Sequence, residues 1–244
     1  MVEEKEWFED WFDSPYYDLL YEGRDEAEAA TFIDNLLAHV LLKPRAKVLD
    51  LPCGKGRHSV YLHQKGYRVT GADLSKRSIA YAKQFETTGL SFCVHDMREP
   101  FAETGFNLVL NLFTSFGYFE SLDDNLKVLQ SVWNVLAVNG RFVLDYFNGE
   151  KVKANLVASE EKTRGEVNFL IKKKIENGIV VKDIQIKVGE KSQHFQEKVQ
   201  LFTLPDFENL FAKANLKIVE VAGDYSLNPF NSQISDRLII IATK

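Results

Sequence analysis

The segment at residues 47–75 constrains the fold more than any other part of the chain. It starts with an apolar strand pattern that ends at Asp50, continues through a turn that contains Gly54 and Gly56, and then becomes helical. A second strand pattern ends at Asp73, nineteen residues after Gly54. A strand, a glycine-bearing turn, a helix and a second strand that ends in an acid are typical of an α/β sheet that binds an adenine nucleoside.

The spacing of the glycines narrows the choice of nucleoside. The fingerprint for pyrophosphate-containing cofactors has a third glycine, which would stand at Ser59 in this chain. A turn without that glycine favours a cofactor with no pyrophosphate and argues against a nicotinamide-dependent oxidoreductase. At the end of the second strand, Asp73 is placed to accept hydrogen bonds from both ribose hydroxyls.

Hydrophobic periodicity predicts helices and strands in alternation along most of the chain. An amphipathic helix at residues 27–42 ends before Pro44, and Gly140 is predicted as the left-handed cap of a helix at 122–136. Strands are predicted at 47–51, 67–73, 90–95, 106–113, 141–147, 216–221 and 237–243. This order predicts a parallel sheet with helices on both faces.

The pattern changes to a period of two at about residues 152–202, where Asn177-Gly178 is a hairpin signal. We therefore divide the chain into an N-terminal helical cap (1–42), a core (43–150 and 203–244) and an inserted antiparallel β subdomain (151–202). The inserted hairpins either help to form a substrate pocket or form a homodimer interface, and the sequence leaves both roles open.

Composition excludes several classes of protein. The chain has 244 residues, a net charge of −5 and two cysteines, which argues against a nucleic-acid-binding surface and against a disulfide framework. We find no signal-peptide pattern, no membrane-spanning run and no metal-ligand cluster, so we expect a cytoplasmic protein without a catalytic metal.

The run Asp50-Leu-Pro-Cys-Gly54-Lys-Gly56 resembles the first motif of class I S-adenosylmethionine-dependent methyltransferases, which usually have glycine at the place of Pro52. The resemblance implies S-adenosylmethionine as cofactor and a Rossmann-like sheet of seven strands, mostly parallel, with an antiparallel last strand. Asp96-Met97 resembles the pair that binds the adenine edge. The cofactor-binding residues that the resemblance implies are Tyr21, Asp50, Pro52, Cys53, Gly54, Gly56, Asp73, Leu74, Asp96, Met97, Asn111, Leu112 and Phe113.

Three further motifs resemble the small-molecule N-methyltransferase branch, which includes amino-sugar and glycine methyltransferases. They are Tyr17-Asp-Leu-Leu-Tyr21, Asp96-Met-Arg and Phe113-Thr-Ser-Phe-Gly-Tyr118. The resemblance implies a small-molecule acceptor, with an amine as the favoured group.

An amine must be neutral to attack, so Tyr17 and Tyr118 are the candidate catalytic residues that orient or deprotonate it. Tyr16, Tyr146 and Asn148 are the candidate substrate-binding residues, the last two because they end a strand at the mouth of the sheet. His58 is interpreted as a helix residue packed behind the glycine turn. The alternatives are a methyltransferase of RNA or protein, and a non-catalytic protein that binds the cofactor as a partner.

Overall fold

The computed structural model describes residues 6–21 and 26–244 and contains two β-sheets. Its strands are β1 (Lys47–Asp50), β2 (Arg68–Asp73), β3 (Leu90–Val94), β4 (Phe106–Asn111), β5 (Leu136–Phe147), β6 (Ser159–Arg164), β7 (Val167–Glu176), β8 (Ile179–Val188), β9 (Lys191–Gln200), β10 (Lys217–Ala222) and β11 (Arg237–Thr243). Its helices are α1 (Trp7–Phe12), α2 (Pro15–Leu20), α3 (Glu26–Val40), α4 (Arg57–Gln64), α5 (Lys76–Ala82), α6 (Leu122–Val135), α7 (Gly149–Asn155) and α8 (Leu204–Lys213). Residues 1–5 and 22–25 of the predicted N-terminal cap lie outside the described residues.

The large sheet confirms the predicted Rossmann-like architecture. Its strand order is β10-β11-β5-β4-β1-β2-β3. The pairs β1–β2, β1–β4, β2–β3 and β4–β5 are parallel, whereas β11 is antiparallel to both β5 and β10. From β1, the chain adds β2 and β3 on one side of the sheet and β4 and β5 on the other, so the direction in which strands are added reverses at β1. Open α/β sheets bind ligands outside the carboxyl ends of the strands at this point.

The second sheet is a four-stranded antiparallel meander in the order β6-β7-β8-β9. Asn177 and Gly178 form the β7–β8 turn with φ values of 51° and 75°, which confirms the predicted hairpin. The strands begin only at Ser159, because residues 149–155 form α7 rather than part of the sheet. The Asn148 side chain caps this helix by accepting a hydrogen bond from the Glu150 amide at 3.2 Å.

The bend at residues 139–140 lies within β5, after α6 has ended at Val135, and differs from the predicted helix cap. Asn139, with φ 62°, has the left-handed conformation that was expected of Gly140. A Cβ on Gly140 would lie 2.8 Å from the Phe106 carbonyl oxygen and 2.9 Å from that of Ala137. Glycine is therefore needed at position 140 because the backbone approaches closely, and Asn139 supplies the turn conformation.

Both faces of the large sheet are buried under helices, and a third apolar cluster joins the N-terminal helices to the small sheet. This third cluster contains Trp11, Leu20, Phe169, Ile171, Ile184 and Ile186. Full burial of a single Phe or Ile stabilises a fold by about 1.5–3 kcal/mol, so the packing holds α1 and α2 firmly against β7 and β8. It also places the aromatic residues of α1 and α2 above the carboxyl end of the large sheet. No helix in the described part of the chain is long and apolar enough to span a membrane.

Candidate functional site

A cavity of about 1190 Å³ lies at the carboxyl ends of β1, β2, β3 and β4. Residues that directly follow these strands line one side, and residues of α1 and α2 line the other. The structure brings twelve of the predicted site residues to this cavity: Tyr17, Tyr21, Pro52, Cys53, Gly54, Asp73, Leu74, Asp96, Met97, Leu112, Phe113 and Tyr118.

The glycine turn forms the floor of the cavity. The Leu51–Pro52 peptide is cis, and the Cys53 amide donates to the Ala72 carbonyl at 2.8 Å, which ties the turn to β2. Gly54 has φ +54°, and a Cβ built on it would meet no atom within 4 Å. A side chain at position 54 would therefore be strained and would project into free space beside the turn.

Asp73 lies beside this turn with both carboxylate oxygens already oriented. Oδ2 accepts the Gly54 amide at 2.8 Å and Oδ1 accepts the Ser75 amide at 2.8 Å. Burial raises the pKa of this carboxyl, against the lowering effect of the two amide donors. Because each carboxylate oxygen has a further lone pair, Asp73 can still accept two hydroxyl donors from the cavity.

At the β3 end of the cavity, Asp96 is bound by Arg98. The guanidinium Nη2 donates to Oδ2 at 2.7 Å, and Nε lies 3.1 Å from both oxygens. Burial raises the pKa of Asp96, but the hydrogen bonds and charge of Arg98 outweigh it, so the pKa lies below its usual range. Arg98 also bonds Glu6 at 2.9 Å and thereby links the segment before α1 to the cavity wall. Nearby, the buried Nε2 of His95 has no hydrogen-bond partner among the described residues.

Aromatic side chains form the opposite wall. The Phe12 ring lies 5.0 Å from that of Tyr17 and 5.1 Å from that of Tyr118, measured between centroids. The Tyr118 hydroxyl donates to the Thr114 carbonyl at 2.5 Å, so its oxygen remains an acceptor. Three aromatic rings therefore meet at this wall of the cavity, and aromatic rings can stabilise a cation bound beside them.

His58 lines the cavity on the side of the strand ends, contrary to the interpretation that it packs behind the turn. Its ring stacks on Phe113 with centroids 4.9 Å apart and planes inclined by 16°. Burial, with a smaller contribution from the Arg57 charge, lowers the pKa of His58 to about 3. The imidazole is therefore neutral at physiological pH and is a weak base.

Tyr146 and Asn148, which were predicted to bind substrate, are not among the described residues that line the cavity. Tyr146 is fully buried, and its hydroxyl donates to the Gln200 carbonyl. The Asn148 amide donates to the Ser232 and Ser235 carbonyls at 2.7 and 2.9 Å. The end of a strand predicts which edge of the sheet a residue approaches, but neighbouring elements decide whether its side chain reaches the cavity.

Four other predicted residues lie behind the cavity wall rather than in it. Asp50 is buried and accepts the Ser59 hydroxyl at 2.7 Å; burial raises the pKa of Asp50 to about 7. Asn111 donates to the Leu51 carbonyl at 2.9 Å. Gly56 begins α4 with φ 80°, and a Cβ there would lie 2.6 Å from the Phe92 ring. The fourth, Tyr16, packs against the cluster on the small sheet.

The structure adds cavity residues that the sequence motifs did not indicate. Asp18 bridges the two sides, because its carboxylate lies 3.0 Å from Lys55 Nζ and 2.8 Å from Arg77 Nη1. Other added residues are Phe8, Phe12, Lys55, Arg57, His58, His95, Ser115 and Phe119. The ion pair between Asp18 and Lys55 could not be predicted from a local sequence pattern, because the two residues lie on separate elements.

These features define a class I S-adenosylmethionine-dependent methyltransferase: the sheet order, the glycine turn and the acids after β2 and β3. Residues 42–200 match the family described as a methyltransferase domain, and the chain belongs to that family. It is similar to the putative methyltransferase YqeM of Bacillus subtilis, with 26% identity over 93% of this chain and 98% of the relative.

Solved structures share the fold. One is an S-adenosylmethionine-dependent methyltransferase from Clostridium acetobutylicum, with a TM-score of 0.79 and 21% identity over 93% of this chain and 95% of that one. Another is CalS10, an amino pentose methyltransferase from Micromonospora echinaspora, with a TM-score of 0.70 and 18% identity over 94% and 97% of the two chains.

The residues at the cavity fit S-adenosylmethionine. Asp73 can accept the two ribose hydroxyls, and Gly54 leaves space beside the turn. The unpartnered Nε2 of His95 marks a polar position at the β3 end that a ligand can satisfy. The described residues contain no group of three or more His, Cys, Asp or Glu side chains that could hold a metal ion.

Proposed function

We propose that this protein transfers a methyl group from S-adenosylmethionine to the nitrogen of a small-molecule amine. The observation that carries the proposal is a single cavity that joins the cofactor residues to an aromatic wall. Ligand pockets usually enclose about 300–1,000 Å³. A volume of about 1190 Å³ is therefore enough for the cofactor and a small acceptor together. A protein that only bound the cofactor would be expected to fill the acceptor end with its own side chains.

The charges at the cavity favour an amine over a nucleic acid. Among the described residues, three acids line it, Asp18, Asp73 and Asp96, together with one lysine and one arginine, Lys55 and Arg57. A phosphate backbone requires a groove with a clear excess of lysine and arginine. An amine, which is cationic before it loses a proton, is attracted by aromatic rings such as those that line this cavity.

The chain's own residues supply orientation and exclude water. When bound, S-adenosylmethionine supplies a methyl group on a positively charged sulfur, which an amine nitrogen attacks with its lone pair while the C–S electrons pass to sulfur. Because the Tyr118 hydroxyl proton is held by the Thr114 carbonyl, its oxygen can accept an N–H of the acceptor and turn the nitrogen lone pair into the cavity. The proton that nitrogen loses goes to solvent, since His58 is too weak a base to take it. Tyr17 packs beside Phe12 and closes the wall.

The similarity to CalS10 supports an amine acceptor, since that protein is described as an amino pentose methyltransferase. The shared fold extends over 94% of this chain and 97% of that one. Fold similarity does not specify the substrate, so the acceptor class depends mainly on the cavity.

The test is a turnover assay that measures S-adenosylhomocysteine formation with separate acceptor panels. One panel contains amino sugars, glycine and sarcosine; the others contain total RNA and unmodified protein. We expect turnover with at least one small amine and a loss of about tenfold or more for Tyr118→Phe, which lacks the hydroxyl oxygen. Phe8→Leu at the same cavity serves as a control without a polar group.

Two results would contradict the proposal. One is turnover with RNA or protein and with none of the amines. The other is tight binding of S-adenosylhomocysteine by calorimetry without turnover of any acceptor, which would indicate a binding protein.

A further inference from the structure

The segment that follows β4 has an unusual backbone conformation. Phe113 and Thr114 have φ values of 59° and 61°, so two consecutive residues with side chains occupy the left-handed region. This region is disfavoured for residues other than glycine, most strongly for β-branched ones such as threonine. Such a conformation persists only where surrounding contacts determine it.

Asp145, near the end of β5, provides those contacts. Its carboxylate Oδ2 accepts the Phe113 amide at 2.8 Å, and its backbone carbonyl accepts the Thr114 amide at 2.9 Å. Both amides of the left-handed pair are therefore bonded to one residue. Asp145 is fully buried, so its position is set by packing on every side.

Arg237, at the start of β11, completes the arrangement. Its Nε donates to Asp145 Oδ1 at 2.7 Å, and its Nη2 donates to Thr114 Oγ1 at 3.0 Å. The guanidinium thus neutralises the buried carboxylate and holds the Thr114 side chain at the same time. Tyr225 also donates to Asp145, at 3.3 Å.

The left-handed pair carries two parts of the cavity wall. The Phe113 ring stacks on His58 at 4.9 Å between centroids. The Thr114 carbonyl accepts the Tyr118 hydroxyl at 2.5 Å. A change in the backbone at 113 and 114 would therefore move both the His58–Phe113 wall and the oxygen of Tyr118.

We infer that Asp145 and Arg237 are positioning residues for methyl transfer. They hold the backbone of Phe113 and Thr114 in the left-handed conformation. This conformation places the Tyr118 hydroxyl and the stacked Phe113 and His58 rings at the part of the cavity where the acceptor would bind. The inference rests on the proposed function in one respect, since it is the acceptor that Tyr118 orients. Neither Asp145 nor Arg237 lies among the described residues that line the cavity. Their effect on the reaction is therefore indirect.

The test compares Asp145→Asn and Arg237→Lys with Asp206→Asn. The last variant is a matched control, because Asp206 also accepts a backbone amide, that of Thr203 at 2.8 Å, at the start of α8. The first readout is the NMR signal of the His58 ring, assigned with His58→Gln, which is sensitive to stacking on Phe113. The second is the affinity for S-adenosylhomocysteine by calorimetry.

We expect the His58 ring signals to shift in Asp145→Asn and, by a smaller amount, in Arg237→Lys, and to stay unchanged in Asp206→Asn. Affinity for S-adenosylhomocysteine should fall by less than about tenfold, because Gly54 and Asp73 do not share partners with Asp145, whereas the predicted cofactor residue Phe113 does. With an amine acceptor, kcat should fall by about 100-fold while KM changes little, since a small displacement of an orienting group costs about that much.

Unchanged His58 signals in a folded Asp145→Asn protein would overturn the inference. Should that variant fail to fold, as judged by circular dichroism, Arg237→Lys decides by the same signals, because lysine keeps the charge and loses the two-point contact. The NMR readout needs no acceptor. A wild-type protein that methylates no amine therefore refutes the proposed function, whereas unmoved His58 signals refute the positioning role.

Discussion

Glu197 joins the N-terminal helices to the small sheet, and its removal is the perturbation with the clearest expected outcome. Its Oε1 accepts the Trp11 indole N–H at 2.7 Å and the Tyr21 hydroxyl at 2.6 Å, and its Oε2 accepts Lys182 Nζ at 3.0 Å. The Glu197 and Lys182 side chains are only 13% and 16% exposed. Burial lowers the pKa of Lys182 despite the neighbouring carboxylate.

Glu197→Ala would remove the acceptor that Trp11, Tyr21 and Lys182 share, although Lys182 would keep its contact with the Tyr21 hydroxyl. Removing one partner of a largely buried ion pair lowers the free energy of unfolding by about 3–5 kcal/mol, because the remaining charge stays desolvated. For a chain of this size, 1 kcal/mol corresponds to about 2–4 °C in Tm. We therefore expect Tm to fall by roughly 6–20 °C if the whole protein unfolds as one unit.

The loss should be concentrated in α1 and α2, since Trp11 and Tyr21 belong to that region and Tyr21 lines the cavity. Hydrogen exchange of peptides that cover residues 7–21 should accelerate more than exchange in β1 or β5. Affinity for S-adenosylhomocysteine should decrease with it, because the aromatic wall is no longer held in place.

Two variants test the reasoning. Lys182→Met should cost less than Glu197→Ala, because the carboxylate keeps its two other donors, whereas Glu190→Ala in the exposed β8–β9 turn should have almost no effect. A Glu197→Ala protein with wild-type Tm and unchanged exchange at residues 7–21 would refute the reasoning. So would a larger loss for Lys182→Met.

Further outcomes follow from the glycine turn and the acids beside it. Asp73→Ala should weaken S-adenosylhomocysteine binding by about tenfold or more in calorimetry, since hydrogen bonds to a charged acceptor contribute about 1.5–3 kcal/mol each; unchanged affinity would exclude the ribose role. Gly56→Ala should lower Tm by more than Gly54→Ala, because only the former adds a Cβ 2.6 Å from Phe92. Gly54→Ala should mainly reduce cofactor affinity, and equal losses of Tm in the two variants would contradict this. Since the pKa of Asp50 rises from 3.8 to about 7 on folding, its contribution to stability is complete below pH 3.8 and is lost as pH rises through 7. Asp50→Asn should therefore gain stability relative to wild type between pH 5 and 8, by about 3 kcal/mol, in thermal melts of the ligand-free protein. A constant difference across that range would show that Asp50 does not titrate there.

Local patterns predicted most of the large sheet and the placement of the glycine turn and Asp73 at the cavity. The run from β1 to β2 is continuous in the chain, and Asp73 and Gly54 are joined by a direct hydrogen bond. Both could be recognised because the turn conformation and the end of each strand depend on residues close in sequence.

The aromatic wall could not be predicted from local patterns, and Tyr17 and Tyr118 were expected at the cavity only from the resemblance. Phe12 and Tyr118 touch there although they are more than one hundred residues apart. Tyr146 and Asn148 end a strand at the correct edge, yet their side chains are used to anchor other segments. Which residues meet at this end depends on how α1 and α2 pack on the small sheet, and short-range patterns carry no information about that packing.

By itself, the sequence determined the class of fold, the position of the glycine turn and, through the family resemblance, the cofactor, because these depend on strand periodicity, on glycine and on acids at the ends of adjacent strands. Only the tertiary structure decided the composition of the cavity wall. His58 became part of it by stacking on Phe113, and Asp145 became the centre of a network because β4, β5 and β11 are neighbours in the sheet. Such contacts form between distant segments, and the physical reason for their positions is the packing of whole elements rather than the preference of any one residue.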